Sequence, residues 1–499
     1  MQVLVTGGTG VVGTGTVTAL VRHGHRVRLL ARHAREGARQ WPDGVEPRPG
    51  DVADPSRVNG CAEGCEVVLH LAAIVEEEPP HRTFERVNVE GTRNILEEAK
   101  RAGVKRFVYV SSLGADRGDS PYHQSKRAAE ALVRDSGLDW VIVRPGSVYG
   151  PGDEQLSLLL RMVRTLPAVP VLSGGDVQFQ PLWHEDLAEA LARVVERDDL
   201  GGRELDLAGP DLTSQNDLLD RLGKLTSREP TRIPLPDFLA SAGLKLLDAV
   251  GVEVPFNEGQ FQMLREGNLI ADPRLNALTA TLHVAATPLD AGLERLADAQ
   301  EEQLPAEGVG SLTRKRFWGD IQGSGCTPDT AFDWFTHHFQ EATPGFMEVA
   351  AEPGTPQELA EGATLTLSLP LRGHVQVRVA EANARRATLL TLSGHPLAGA
   401  VRFLAEHRGE CVRFEVQVYD RPASVVDFIA MRTVGDFLQN RSWERVVRSV
   451  AEGVGGTLVD GVHRDSAALD EEEAESIQHW LEELVNRRKR EENAPSSSS

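Results

Sequence analysis

The first part of the chain alternates short apolar, β-branched runs with stretches whose apolar positions recur every three or four residues. That is the pattern of successive parallel βαβ units. Residues 2–6 (QVLVT), 26–31 (RVRLLA), 66–71 (EVVLHL), 106–111 (RFVYVS) and 139–144 (DWVIVR, ended by Pro145) read as strands. Residues 11–23, 83–102 and 121–136 read as helices. Runs apolar on both faces suit a sheet covered on both sides. The expected fold class over residues 1–150 is α/β, a doubly wound parallel sheet. From 151 to about 300 the pattern loosens. It gives a helix near 154–165, strands near 170–181, a helix at 184–196, a strand at 203–208, then mostly helical sequence to about 303. Residues 1–300 are taken as one unit, with 151–300 as its substrate segment.

Residues 301–312 are acidic, glycine-containing and weakly periodic, and are read as a linker. Beyond them the period changes to two. Residues 313–322 and 363–430 alternate like antiparallel strands, as in 364–370, 374–380 and 412–418. A helix is expected at 434–454, with Val434, Phe437, Leu438, Val446, Val447 and Val450 on one stripe. Residues 313–457 thus form a second, α+β domain. Residues 458–490 are assigned to a charged helical segment, with the helix proper at 469–490. It is acidic at its start and ends in Arg487-Arg488-Lys489-Arg490, which complements the helix dipole. The tail 491–499, with its four serines, is expected to be disordered.

Composition narrows the function. The 499 residues carry a net charge of −21, which disfavours binding to nucleic acid or to anionic lipid. Four cysteines make no disulfide framework, and Cys61 and Cys65 lack a second pair at zinc-like spacing. No metal site is expected. No apolar run approaches the length of a membrane span, and the first residues lack a signal-peptide pattern, so a cytoplasmic location is expected.

Residues 6–13 read T-G-G-T-G-V-V-G between the first strand and the first helix. Gly7 permits a tight turn, Gly10 lets backbone approach a pyrophosphate, and Gly13 allows close packing. With Thr9, Val11 and Val12 they open a helix whose N-terminus favours phosphate. This is a dinucleotide loop of the Rossmann kind. The second strand ends in Arg32, with His33, Arg35 and Arg39 nearby, where an acid would select NAD. An arginine can pair with a 2′-phosphate, so NADP(H) is favoured over NAD(H). Asp51 and Val52 follow the third strand and fit an adenine contact. Leu71, Ala72 and Ala73 follow the fourth and leave room for the cofactor.

The fifth strand ends in Ser111-Ser112, and Tyr122 and Lys126 follow in S-P-Y-H-Q-S-K. Tyrosine and lysine at i and i+4 share a helix face. An ammonium beside a phenol lowers its pKa, so Tyr122 could exchange a proton with a substrate oxygen while hydride moves. Ser112 could hold that oxygen. Asp186, in W-H-E-D-L-A, is read as a helix-capping carboxylate. His184 and His123 carry no assigned role.

The set T-G-G-T-G-V-V-G, G-D-V-A-D, H-L-A-A, V-S-S, Y-H-Q-S-K and R-P-G-S-V-Y-G-P-G-D resembles the extended and atypical short-chain dehydrogenase/reductases over about 1–300. S-S-L-G-A-D and F-Q-P-L-W-H-E-D-L-A are similar to the branch containing the nucleotide-binding accessory subunit of respiratory complex I. The resemblance implies cofactor binding by Gly7, Gly10, Gly13, Arg32, Asp51, Ala72 and Lys126, and a catalytic set of Ser112, Tyr122 and Lys126. Leu113-Gly114 stand where the family's dehydratases place an acid pair, which argues against dehydration. The short segment between Ser112 and Tyr122 argues against a nucleotide-sugar substrate. Residues 313–457, with L-S-G-H-P-L-A-G-A-V-R-F at 392–403, resemble the helix-grip fold of the START/polyketide-cyclase-like (SRPBCC) superfamily, which implies an apolar cavity.

The leading expectation is an NAD(P)H-dependent oxidoreductase acting on a carbonyl or alcohol. The family branch and the cavity-type module suggest a small hydrophobic or quinone-like substrate. A homo-oligomer is compatible with this. Two alternatives stay open: a non-catalytic NADPH-binding structural or sensor protein, and a carrier of hydrophobic ligands through the second domain.

Overall fold

The structure, a computed structural model, describes all residues except 36–40, 42, 154, 236–268, 271, 344–347, 370–372, 424–435 and 494–499. Arg39, Val434, most of the expected serine tail and much of the helical reading before residue 303 lie outside the described residues.

Strands β1 (Gln2–Thr6), β2 (Arg26–Ala31), β3 (Val45–Pro49), β4 (Val67–His70), β5 (Arg106–Val110), β6 (Asp139–Pro145) and β10 (Arg203–Leu207) form a seven-stranded sheet. Its order is β10-β6-β5-β4-β1-β2-β3, and every pairing is parallel. β4 and β5 are wholly buried, because helices cover both faces. One face packs Val3, Val5 and Leu29 against the helices Val11–Arg22 and His184–Glu196. The other packs Leu4, Phe107 and Ile142 against Gly91–Ala102 and Pro121–Arg134. The chain order reverses between β1 and β4, which opens a crevice at the carboxyl ends of the strands. Two short parallel pairs, β7 (Val148–Tyr149) with β9 (Leu182–Trp183) and β8 (Ala168–Leu172) with β11 (Thr231–Leu235), belong to the 151–300 segment and its approach.

The helix expected at 83–102 is not uniform. Residues Glu85–Glu90 wind as a π-turn before the α-helix Gly91–Ala102. Asp186 is no cap either. It lies inside the helix His184–Glu196, which Trp183 precedes without a side-chain cap. Its carboxylate accepts from the backbone N–H of Thr287 at 2.6 Å and from its hydroxyl at 2.8 Å, so it ties down a later loop.

The second sheet has the order β13-β14-β15-β16-β17-β18-β12-β19, antiparallel throughout. β12 is Thr313–Gln322, β13 Glu348–Val349, β14 Thr364–Leu369, β15 Gly373–Asn383 and β16 Arg386–Thr391. β17 is Leu397–Arg408, β18 Cys411–Pro422 and β19 Thr457–Ala468. The helices Pro328–His337 and Asp436–Gly453 pack on its inner face. That space holds Phe335, Phe403 and Phe414, all fully buried, and their rings contact one another and Trp443.

Two expectations are corrected here. Residues 458–468 are not part of a charged helix. They form most of the edge strand β19, paired with β12, and the last helix is Glu471–Asn493. Residues 301–312 are not a free linker. Glu302 is buried and pairs with Arg378 at 2.8 Å, and the Gln303 N–H donates to the Thr391 carbonyl at 2.7 Å. The buried Glu302 carboxylate thus faces an arginine of the second sheet, while Glu301 and Glu307 stay exposed. Among the described residues no helix is long and apolar enough to cross a membrane.

Candidate active site

The glycine turn follows from the close approach of two strand ends. Gly7 has φ +71°, and a Cβ there would stand 2.6 Å from the Ala72 nitrogen. Gly13 lies at the first turn of Val11–Arg22, where a Cβ would stand 2.3 Å from the Gly7 carbonyl oxygen. Gly10 faces open space, with only that carbonyl at 3.9 Å from a built Cβ. Gly10 has no side chain to cap the helix, so the helix N-terminus is presented uncovered to the crevice.

A cavity of about 700 Å³ lies at the strand ends. The structure brings every residue assigned from the sequence to the cofactor or to catalysis to its wall. Gly7, Thr9, Gly10, Val11, Val12 and Gly13 come from the turn, and Arg32 from the end of β2. Asp51 and Val52 follow β3, and Leu71, Ala72 and Ala73 follow β4. Ser112 follows β5, and Tyr122 and Lys126 come from the helix Pro121–Arg134. That helix starts where it does because Pro121 takes its first position and the Ser120 hydroxyl accepts the His123 N–H at 3.3 Å.

The tyrosine–lysine relation differs from expectation. Tyr122 is held above the ordinary phenol range, at about 12, because burial disfavours its anion; a hydrogen bond from Ser112 pulls it partway back. Lys126 does not point its charge at that phenol. Its Nζ donates to the Val110 carbonyl at 2.8 Å and lies 4.6 Å from the centre of the Tyr109 ring. Burial lowers it to about 7, with Glu130 one turn away opposing the shift. Glu130 is itself buried and forked by Arg144, at 2.8 and 2.6 Å. Ser112 Oγ lies 3.4 Å from His123 Nε2, so the unassigned histidine sits behind the serine.

Sequence reasoning missed several wall residues: His81, Arg82, Pro145, Gly146, Ser147, Val148, Asp153 and Gln155. Asp153 receives the N–H groups of Gln155 and Leu156 at 2.8 and 2.6 Å, and so starts the helix Leu156–Thr165. The phrase R-P-G-S-V-Y-G-P-G-D carried the signal for five of these, since it runs on from the sixth strand as the other site loops follow theirs. Asn88 was also missed. It lies in the π-turn, 1% exposed, and clasps Ile74 through both its backbone groups at 2.9 and 3.1 Å. An asparagine flanked by two valines in a helical stripe was the only sign of it.

Residues 3–208 match the family profile described as NAD dependent epimerase/dehydratase family. The chain is 35% identical over 238 residues to the ceramide reductase of Caulobacter vibrioides, spanning 47% of this chain and 74% of that protein. It is 32% identical over 274 residues to sterol demethylase protein B of Methylococcus capsulatus, 50% of this chain and 81% of that one. Identity to the Arabidopsis thaliana mitochondrial NADH dehydrogenase [ubiquinone] 1 alpha subcomplex subunit 9 is 26% over 285 residues, 54% of this chain and 71% of that one. Among solved structures, the Escherichia coli NADPH-dependent quinone oxidoreductase QOR2, in complex with NADPH, matches with a TM-score of 0.50 and 21% identity. It covers 59% of this chain and 99% of that one.

Proposed function

The chain belongs, through residues 3–208, to the NAD-dependent epimerase/dehydratase family, and on that premise we propose an NADP(H)-dependent oxidoreductase that reduces the carbonyl of a large apolar substrate. The observation that carries the reading is one cavity lined by the glycine turn, by Arg32 and by the Ser112–Tyr122–Lys126 set. The residues fit the cofactor: the turn leaves room at Gly10 for a diphosphate, and Arg32 is an exposed cation at the tip of β2. Gly7, Thr9, Gly10, Val11, Val12 and Gly13 would hold the diphosphate. Arg32 would pair with a 2′-phosphate, Asp51 and Val52 would flank adenine, and Leu71, Ala72, Ala73 and Lys126 would flank the nicotinamide half. When bound there, the nicotinamide supplies or accepts the hydride.

The protein's own part is proton handling. A Tyr122 hydroxyl kept protonated is set to give its proton to the oxygen of a carbonyl under reduction. Ser112, within reach of both Tyr122 and His123, orients that oxygen. Support for an apolar substrate comes from two relatives, a ceramide reductase and sterol demethylase protein B, and from Ala73, Ile74, Val75 and Val87 in the cavity wall. The second domain resembles a helix grip in its strand–two-helix–sheet–long-helix order. Its inner space is taken by phenylalanine rings, so we assign it a supporting role and not a carrier's.

Titration with NADPH and NADH tests the cofactor assignment. NADPH should bind more tightly, and Arg32→Asp should reverse the order. A wild type that prefers NADH would sink it. Turnover is tested with a steroid ketone and an oxidised ceramide, with a nucleotide sugar as control. Tyr122→Phe should abolish turnover and leave NADPH affinity unchanged.

A further inference from the structure

We infer that His70 is a positioning residue: it closes a one-way hydrogen-bond chain beneath the glycine turn that holds the Ala72–Ile74 wall where the nicotinamide half of the coenzyme must lie. The inference rests on the dinucleotide reading above. It gives a role to residues that form no part of the cavity wall.

The direction of the chain is forced. Thr92 Oγ1 donates its single proton to the Asn88 carbonyl at 2.6 Å. It must therefore accept from His70 Nε2, 3.1 Å away, so the ring proton sits on Nε2. His70 is fully buried, and burial together with the Lys126 ammonium lowers it to about 3, so the ring is neutral. Its Nδ1 then accepts from Thr6 Oγ1 at 2.6 Å. With that proton used, the Thr6 oxygen accepts the Ala72 N–H at 3.3 Å. At the other end, Asn88 Oδ1 accepts the Ile74 N–H, while Nδ2 donates to the Ile74 carbonyl and to Ser125 Oγ at 3.0 Å. Ser125 in turn donates to the Tyr122 carbonyl at 2.7 Å.

Both ends of the chain grip the same piece of backbone, and its last link reaches the helix of Tyr122. An imidazole sealed in a core costs desolvation unless both nitrogens are partnered, and here both are. The sheet order says which half of the coenzyme is served. The tips of β2 and β3 carry Arg32 and Asp51 on one side of β1; those of β4 and β5 carry residues 71–74 and Ser112 on the other.

The full-length protein is titrated with NADPH and with its adenine half, 2′-phospho-ADP. Thr6→Val and Thr92→Val each remove a hydroxyl that makes two bonds of the chain while keeping side-chain shape. Each should weaken NADPH at least about tenfold, the effect of a buried group left without its partner, while 2′-phospho-ADP binds as before. Thr6→Ser, which keeps the hydroxyl, should restore NADPH binding. Equal losses for both ligands would mean a general fold defect and overturn the inference, as would unchanged NADPH affinity in both valine variants. Nitrogen NMR of the His70 ring should place its proton on Nε2, and a proton on Nδ1 would overturn the chain. A wild type that binds 2′-phospho-ADP or neither ligand, but not NADPH, would instead sink the dinucleotide reading, and this inference with it.

Discussion

Lys126 sets the pH behaviour at the scale of single residues. It is 2% exposed and titrates near 7, whereas a lysine in an unfolded chain titrates at about 10.4. Below about pH 7 the folded protein bears the cost of a buried ammonium. Between 7 and about 10 only the unfolded chain carries that proton, so stability should climb with pH by up to about 1.4 kcal/mol per unit. Tyr122 works in the opposite sense, but only above about pH 10, where an unfolded tyrosine begins to lose its proton. Urea unfolding of wild type and Lys126→Met at pH 7 and 9 checks this. The wild type should gain more on raising the pH, and equal gains would refute it. The spacing of Tyr122 and Lys126 was legible in the chain because a helix repeats every 3.6 residues. The turn of the lysine toward Val110 was not, because a bond to a carbonyl of another element exists only after packing.

At the scale of elements, the three glycines of the turn do different work, and substitution should separate them. Alanine at Gly7 meets both a left-handed backbone, worth about 1–3 kcal/mol, and the Ala72 backbone at 2.6 Å. Gly7→Ala should therefore lower the melting temperature and lose NADPH together. Alanine at Gly10 meets nothing nearer than 3.9 Å in the protein, but would intrude on a diphosphate. Gly10→Ala should melt like wild type and bind NADPH poorly; a thermal melt beside a titration reads both. The glycine turn was legible because sterics dictate it locally. The strand β19 was not, because it is an edge strand exposed over most of its length and shows no apolar alternation. The π-turn Glu85–Glu90 was equally hidden, since its extra residue per turn answers to the neighbours that Asn88 must reach.

At the scale of the whole molecule, the ten-residue helix Leu156–Thr165 links the cavity to the second domain. Asp153 in the cavity wall holds its first N–H, and its last turn carries Arg164, which is 4% exposed. Arg164 forks Glu352 at 2.8 and 2.7 Å and donates to Gln376 at 2.9 Å. His374 lies 3.3 Å from the same carboxylate. Arg164→Met would strand that carboxylate and should cost about 3–5 kcal/mol, with much of the loss recovered by adding Glu352→Leu. Urea midpoints of the two variants test this, and an undiminished midpoint in Arg164→Met would refute it. The two-part organisation was legible from the change of hydrophobic period. The closeness of the parts was not, because charged residues such as Glu302 and Arg164 read as solvated until their partners are seen.

Such a junction changes what dissection can achieve. Shortening the gene at residue 300, to harvest the first sheet alone, would take away Glu352 and Gln376 and leave the guanidinium of Arg164 without either. The trimmed product should melt below the whole chain, and any attempt to graft the first sheet onto another scaffold would do better to carry the second along as cargo.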